Sequence, residues 1–285
     1  MYTSLTPKTL TLLVVLLLLP GCSITRALRV EDHVMVDVRT MIDEVSAVPV
    51  VFVGERHDAA EHHKLQLEVL KGLKANGKLL AIGMEMFEGS SQKALDAWSA
   101  GKAPTYAFVK VYQWNWRNVP YSLYENIFDF ARDNHIPIVA LNAPRVIVEK
   151  VSRQGLNSLT NDERKQLPPG ADAEVSDAYL EFIRLSYGAH TGNAEHFRHI
   201  CEAQMLRNRV MASRIRDYHN LHPESVMLVI AGGGHARAKG GIPAELGNLL
   251  FKIILPPVPG LRSEYISTED TDYLLEEPFS LLDLL

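Results

Sequence analysis

Residues Val50 to Asp58 read V-V-F-V-G-E-R-H-D, an apolar run halted by Gly54 and followed at once by Glu55, Arg56, His57 and Asp58. An unbroken run of β-branched and aromatic residues is the pattern of a strand buried on both faces, as parallel sheets require. The same device recurs in L-L-A-I-G-M-E-M-F-E (Leu79 to Glu88), I-V-A-L-N-A-P-R (Ile138 to Arg145) and V-M-L-V-I-A-G-G-G-H (Val226 to His235). Each run ends in Glu, Arg or His. In an open parallel sheet, ligands bind beyond the carboxyl ends of the strands, so residues far apart in the chain are expected to converge there.

Working outward, the strand at Val48 to Val53 feeds a helix from Ala60 to Asn76, with Leu65, Val69, Leu70 and Leu73 spaced by three and four and Asn76-Gly77 as its stop. A second strand, Leu79 to Met84, makes this a βαβ unit with a right-handed crossover. Helical patterns follow over Ser90 to Trp98 and Tyr121 to Asn134, and His135-Ile136-Pro137 turns the chain into a third strand, Ile138 to Leu141. From Pro144 to about Leu221 strand-like alternation is lacking. Helices are expected at Pro144 to Gln154, Leu159 to Lys165, Val175 to Ser186 and Glu195 to about Tyr218. A fourth strand at Val226 to Ile230 and a fifth at Phe251 to Leu255 return to the sheet. The fold class expected is α/β, an open and mainly parallel sheet flanked by helices, with a smaller inserted helical subdomain.

The N-terminal end reads as an export signal. Lys8 precedes an apolar run from Leu10 to Leu19, about the length of a signal-peptide core and too short to span a bilayer. Leu19-Pro20-Gly21-Cys22 resembles a bacterial lipobox, in which cleavage leaves Cys22 to carry lipid, although Pro20 departs from the usual small residue. A buried hairpin or an uncleaved anchor helix is the competing reading. Ser23 after the cysteine, by similarity to Gram-negative lipoproteins, implies outer-membrane sorting. The expected organisation is a signal peptide at 1–21, a tether at 22–37, the first part of the α/β core at 38–143, a helical insertion at 144–222, completion of the core at 223–260 and an acidic tail at 261–285.

With Cys22 lipidated, Cys201 has no partner for an intramolecular disulfide, and within an amphipathic helix it reads as a small buried apolar residue. Loss of Lys8 with the signal takes the formal charge from −5 to −6. A mildly acidic chain has no general attraction for nucleic acid.

Glu55 and His57 can serve as acid and base, as metal ligands, or as hydrogen-bond partners of an anionic group. A helix-capping Glu55 and a solvent-facing His57 are the plain alternatives. Glu85, between methionines at a buried strand end, needs a partner, and Arg145 or His57 is expected to supply it. Arg145 opens a helix after Pro144, where guanidinium and backbone donors together suit a carboxylate or propionate. Gly232 to Gly234 before His235 suit close backbone approach and a nest of N–H donors. They complete neither the P-loop nor the dinucleotide fingerprint, which disfavours nucleotide binding. His190 lies in Y-G-A-H-T-G between two helices of the insertion. His62, His63, His196 and His199 read as surface residues by default. Aromatic residues through the middle of the chain suit a flat apolar ligand, and tyrosinate can hold haem iron.

Five segments carry a resemblance to a known family: V-F-V-G-E-R-H-D; I-G-M-E-M-F; the W-N-W…L-Y…I-P-I-V-A-L-N-A-P-R stretch; A-H-T-G with E-A-Q-M-L-R-N-R-V-M-A; and I-A-G-G-G-H-A…G-I-P. In order and spacing, from Val50 to Pro243, they resemble the ChaN family of haem-binding lipoproteins, within a wider group that holds erythromycin-esterase-like and Tiki/TraB-like proteins. The resemblance places a polar pocket on Glu55, His57, Glu85, Arg145, His190 and His235. It implies a membrane-tethered role in haem or iron uptake, with haem held by a tyrosine at the interface of a haem-dependent homodimer and a haem or iron receptor as partner. Tyr187 is the first choice for that tyrosine, then Tyr121 and Tyr124. The competing function is a lipid-anchored hydrolase, esterase-like or dependent on a divalent metal, using Glu55, His57, Glu85 and His235.

Overall fold

The computed structural model describes residues 24–187, 193–257 and 266–276, with backbone alone at 186 and 187. Its central feature is a single mixed sheet of eight strands in the order β2-β1-β8-β7-β3-β6-β4-β5. The strands are β1 (Arg26–Arg29), β2 (Val34–Asp37), β3 (Val50–Glu55), β4 (Leu79–Glu88), β5 (Ile138–Asn142), β6 (Ser225–Gly232), β7 (Phe251–Leu255) and β8 (Tyr273–Leu275). From β8 to β5 the pairings are parallel, and the antiparallel pairs β1–β2 and β1–β8 close one edge. Every residue of β3 is buried, as a central strand covered on both faces requires.

The helices divide between the two faces. On one side α1 (Val38–Val45), α2 (Ala60–Ala75), α3 (Gln92–Ser99), α4 (Thr105–Asn115) and α5 (Glu125–Asp133) bury Met41, Leu70, Trp98, Phe108 and Phe128 against the sheet. Between β5 and β6 lie α6 (Arg145–Gln154), α7 (Asn161–Arg164), α8 (Asp177–Tyr187) and α9 (Ala194–Leu221), around a separate apolar cluster that includes Ile147, Phe197 and Leu206. The 28 residues of α9 extend about 42 Å at 1.5 Å per residue. Its N-terminal half packs within that helical cluster. Its C-terminal half, through Met211, Ala212 and Ile215, packs on the second face of the sheet. One rigid helix therefore fixes the insertion relative to the strand ends. Asn193 caps it by accepting from the backbone N–H of Glu195 and His196.

Two expectations need correction. The segment 22–37, expected as a tether, contains β1 and β2, four residues each and paired with one another, and β1 pairs in turn with β8 from the far end of the chain. Strands that short show no period. The expected tail contributes β8, whose Tyr273, Leu274 and Leu275 are buried between flanking acidic residues. There Asp272 accepts from Lys252 Nζ at 2.7 Å and from Ile253 N–H at 2.8 Å, so its charge belongs to the fold. Within the βαβ unit the strands β3 and β4 are separated by β6, which lies between them. That insertion assembles the site.

Candidate functional site

In the sheet register Glu55 lies beside Gly232, and β4 flanks β6 on its other side with Met84 beside Ile230. The ends of β3, β6 and β4 thus deliver Glu55, Gly232 and Glu85 to one place. Both carboxylates are buried, at 3% and 2% exposure. A buried carboxylate is costly unless each oxygen is satisfied, and here each is.

One oxygen of Glu55 accepts from the Tyr124 hydroxyl and lies 2.8 Å from His57 Nδ1. The other accepts from Gln66 Nε2 at 2.8 Å and lies 3.3 Å from His63 Nδ1. Burial alone would raise the Glu55 pKa, but the hydrogen bonds from His57, His63 and Tyr124 outweigh it and hold the pKa at about 2. His57 shows the reverse balance. Burial pulls its pKa down, while Glu55 and Glu85 raise it above the ordinary value. Its ring stands edge-on to Trp116, with centroids 5.0 Å apart. Nδ1 is tied to Glu55, and Nε2 has no hydrogen-bond partner among the described residues.

Glu85 accepts from Gly232 N–H at 2.6 Å on one oxygen and from Arg207 Nη2 at 2.5 Å on the other. Burial raises its pKa, but His235, Arg207 and His57 more than compensate and leave it at about 2. The expected partner Arg145 is not there. Its backbone N–H donates to Glu88 Oε2 at 2.8 Å, and its guanidinium lies over the Trp114 ring at 4.8 Å and donates to Trp114 O. Arg207 replaces it because α9 crosses the strand ends, where Arg207 also donates to Asn142 Oδ1 and Gln204 Oε1, both at 3.1 Å.

His235 is neutral near physiological pH. Burial lowers its pKa to about 4 against the pull of Glu85. Its tautomer follows from Asn208, whose Nδ2 donates to Gly240 O at 2.9 Å and whose Oδ1 lies 2.5 Å from His235 Nδ1. Nδ1 therefore carries the proton, and Nε2 presents a lone pair 3.7 Å from Glu85. Of the glycines before it, Gly232 has its N–H taken by Glu85, and all three line a cavity at the strand ends.

These groups wall two adjoining cavities. The larger, about 480 Å³, combines the strand-end polar groups with Tyr179, Ile183, Phe197 and Ile200 of the insertion. The smaller, about 270 Å³, is bounded by Trp114, Trp116 and Arg145 and shares His57, Glu85 and Arg207 with its neighbour. Gly232 is necessary to this arrangement. A Cβ there would lie 2.9 Å from His57 Cε1 and 3.1 Å from its Nε2. Gly232→Ala is expected to displace the His57 ring, returning its NMR-observed pKa towards 6.5 while the chain stays folded. An unchanged His57 titration would show that the contact is not limiting.

The structure brings together Glu55, His57, Glu85 and His235, and places Arg145 at the margin. His190, Cys22 and the signal peptide lie outside the described residues, as does the Tyr187 side chain. Tyr124 is fully buried and bonded to Glu55, which with burial raises its pKa, so as a haem ligand it is ruled out. The Tyr121 hydroxyl is also buried, without a hydrogen-bond partner among the described residues, and burial pushes its pKa up to about 12. His62 and His63, expected on the surface, are each 3% exposed beneath the end of β3. His62 Nδ1 accepts from Arg56 N–H at 2.9 Å, and His63 braces Glu55. Arg207, Asn208 and Gln66 carry no sequence signal as site residues, save that Gln204, Arg207 and Asn208 interrupt the apolar row of α9 at helical spacing from Ile200. Cys201 is buried, and burial pushes its thiol up to about 11, consistent with a packing role.

Comparison with known proteins follows the same line. The family described as haem-binding uptake, Tiki superfamily, ChaN matches residues 41–246. Among solved structures, a ChaN of Campylobacter jejuni reported with cofacial haem binding superposes with a TM-score of 0.69 at 18% identity, covering 89% of this chain and 96% of that one. The type III effector HopBA1 superposes with a TM-score of 0.51 at 14% identity, covering 92% and 100%. At these identities the likeness is one of fold. Among curated proteins, RETICULATA-RELATED 5, chloroplastic, of Arabidopsis thaliana is 24% identical over 143 residues, 48% of this chain and only 19% of that protein.

Proposed function

Because the chain belongs to the ChaN family of haem-binding uptake proteins in the Tiki superfamily, we propose that it binds haem in the larger cavity and serves haem or iron uptake from a lipid anchor at Cys22. The observation that carries this reading is the character of that cavity. An apolar wall of Tyr179, Ile183, Phe197 and Ile200 faces polar strand ends, which suits a flat ring system bearing charged arms. The residues present therefore fit the group. Bound haem would supply an iron open to axial ligation, which tyrosinate can provide.

Of the three tyrosines considered, Tyr121 and Tyr124 have buried hydroxyls. Tyr187 follows Tyr179 and Ile183 at four-residue spacing along α8, and those two line the cavity. It is the ligand we favour. The cofacial arrangement reported for the Campylobacter jejuni protein supports a haem-dependent homodimer here, and the lipobox, with Ser23 after its cysteine, supports an outer-membrane location beside a haem or iron receptor. Hemin titrated into the purified protein is expected to give a saturable Soret shift, and Tyr187→Phe is expected to change that spectrum and weaken binding at least tenfold, about 1.4 kcal/mol. A wild-type protein without a saturable shift would end the haem reading.

One observation favours a second reading, a hydrolase. A buried carboxylate orienting a histidine whose other nitrogen is unpartnered is the arrangement of a general base. Hydrolysis of an ester panel, abolished in His57→Ala, would establish it. The divalent-metal form of this reading fits poorly. Glu55 and Glu85 have their oxygens committed, and no group of three or more His, Cys, Asp and Glu among the described residues is placed to hold a metal ion.

A further inference from the structure

The smaller cavity has an imbalance of donors and acceptors. Its acceptors are engaged: Glu85 by Gly232 and Arg207, Glu88 by Ser90 Oγ at 2.9 Å and Arg145 N–H at 2.8 Å, and Asn142 Oδ1 by Arg207 and Ala143 N–H. Its donors are not. Among the described residues the Arg145 guanidinium donates only through Nη1, to Trp114 O at 3.1 Å, with Glu149 a loose 3.8 Å from Nε. His57 Nε2 has no partner among the described residues, although burial, which lowers its pKa, is outweighed by Glu55 and Glu85 in favour of the protonated ring. An acceptor with more than one oxygen would satisfy both groups. The remaining wall of Met86, Trp114, Trp116 and Val148 is apolar and suits a short hydrocarbon stem.

We propose that the smaller cavity is a carboxylate subsite, recognising a short aliphatic carboxylate through Arg145 and His57. Two sources share that chemistry. One is a propionate arm of haem seated in the adjoining cavity, which rests on the haem reading above, and the other is a free short-chain acid. The shared wall of His57, Glu85 and Arg207 connects the two cavities and favours the first. The two carboxylates lining the smaller cavity offer little repulsion, since Glu85 is neutralised by Arg207 and Glu88 is held by the start of α6.

The test compares hemin with hemin dimethyl ester, whose propionates are blocked, by Soret titration of the wild type and Arg145→Gln. In parallel, butyrate is titrated against tryptophan fluorescence. Hemin affinity is expected to fall roughly tenfold in Arg145→Gln, the scale of one charge-assisted hydrogen bond, while the weaker ester binding is unchanged. Arg145→Lys should recover part of the loss, and it replaces Arg145→Gln if circular dichroism shows that variant unfolded. Equal losses for hemin and ester, or no loss for either, overturn the propionate source. If the wild type takes up no hemin, the haem reading fails by itself. The subsite then stands on a saturable fluorescence change with butyrate that Arg145→Gln abolishes, and falls without one.

Discussion

Arg207→Leu is expected to destabilise the protein by about 3–5 kcal/mol, the cost of leaving one member of a buried ion pair without its partner. Glu85 is 2% exposed, and with Arg207 gone the Gly232 N–H would be its remaining hydrogen-bond donor among the described residues, with His235 and His57 more distant. Folded domains hold only about 5–15 kcal/mol in total, so the urea midpoint should fall steeply. The carboxylate, rather than lost packing, is the cause argued for. The double variant Glu85→Gln/Arg207→Leu should therefore be more stable than Arg207→Leu alone, because an amide needs no counter-charge. A double variant no more stable than the single one would assign the effect to packing of the long side chain.

Acid should unfold the protein over a defined window. Glu55 and Glu85 have folded pKa values of about 2 against an ordinary 4.5. A carboxylate with a depressed folded pKa stabilises fully above its unfolded value, and that contribution is lost as pH falls through the folded one. At about 1.4 kcal/mol per unit, each contributes on the order of 3 kcal/mol near neutrality, lost between pH 4.5 and about 2. His235 acts on the same side. Its folded pKa of about 4 lies below 6.5, so the unfolded chain takes up its proton first and stability declines from pH 6.5 towards 4. His57 and His63, both raised, act oppositely: their stabilisation is present below 6.5 and is lost as pH rises through their folded values. Because His57 and His63 share one interaction with Glu55, their contributions are not added to it. Urea midpoints measured from pH 7 to 2 should fall steeply below 4.5, and Glu55→Gln with Glu85→Gln should flatten the profile. A wild-type midpoint constant to pH 3 would contradict the assignment.

The legible parts of this protein are those whose physics is local. Central parallel strands must be apolar on both faces, so β3, β4, β5 and β6 show as runs, and a charged residue at the end of such a run is conspicuous. Glu55, His57, Glu85 and His235 could be marked for that reason. The edge strands β1, β2 and β8 could not, because strands of three or four residues have no period and are held by pairing between the ends of the chain. Arg145 or His57, each at a strand end, is the partner that the sequence suggests for Glu85, yet Arg207, 122 residues away, holds it.

The sequence by itself determined the class of fold and the location of the site at the strand ends, since hydrophobic period and strand-terminal charge are written within a few residues of each other. Only the tertiary structure decided the chemistry of that site. Insertion of β6 between β3 and β4 put Glu55 and Glu85 on either side of Gly232, and the crossing of α9 chose Arg207 and Asn208 as partners. Protonation states follow from those contacts, and contacts between residues 27 to 122 positions apart leave no local pattern to read.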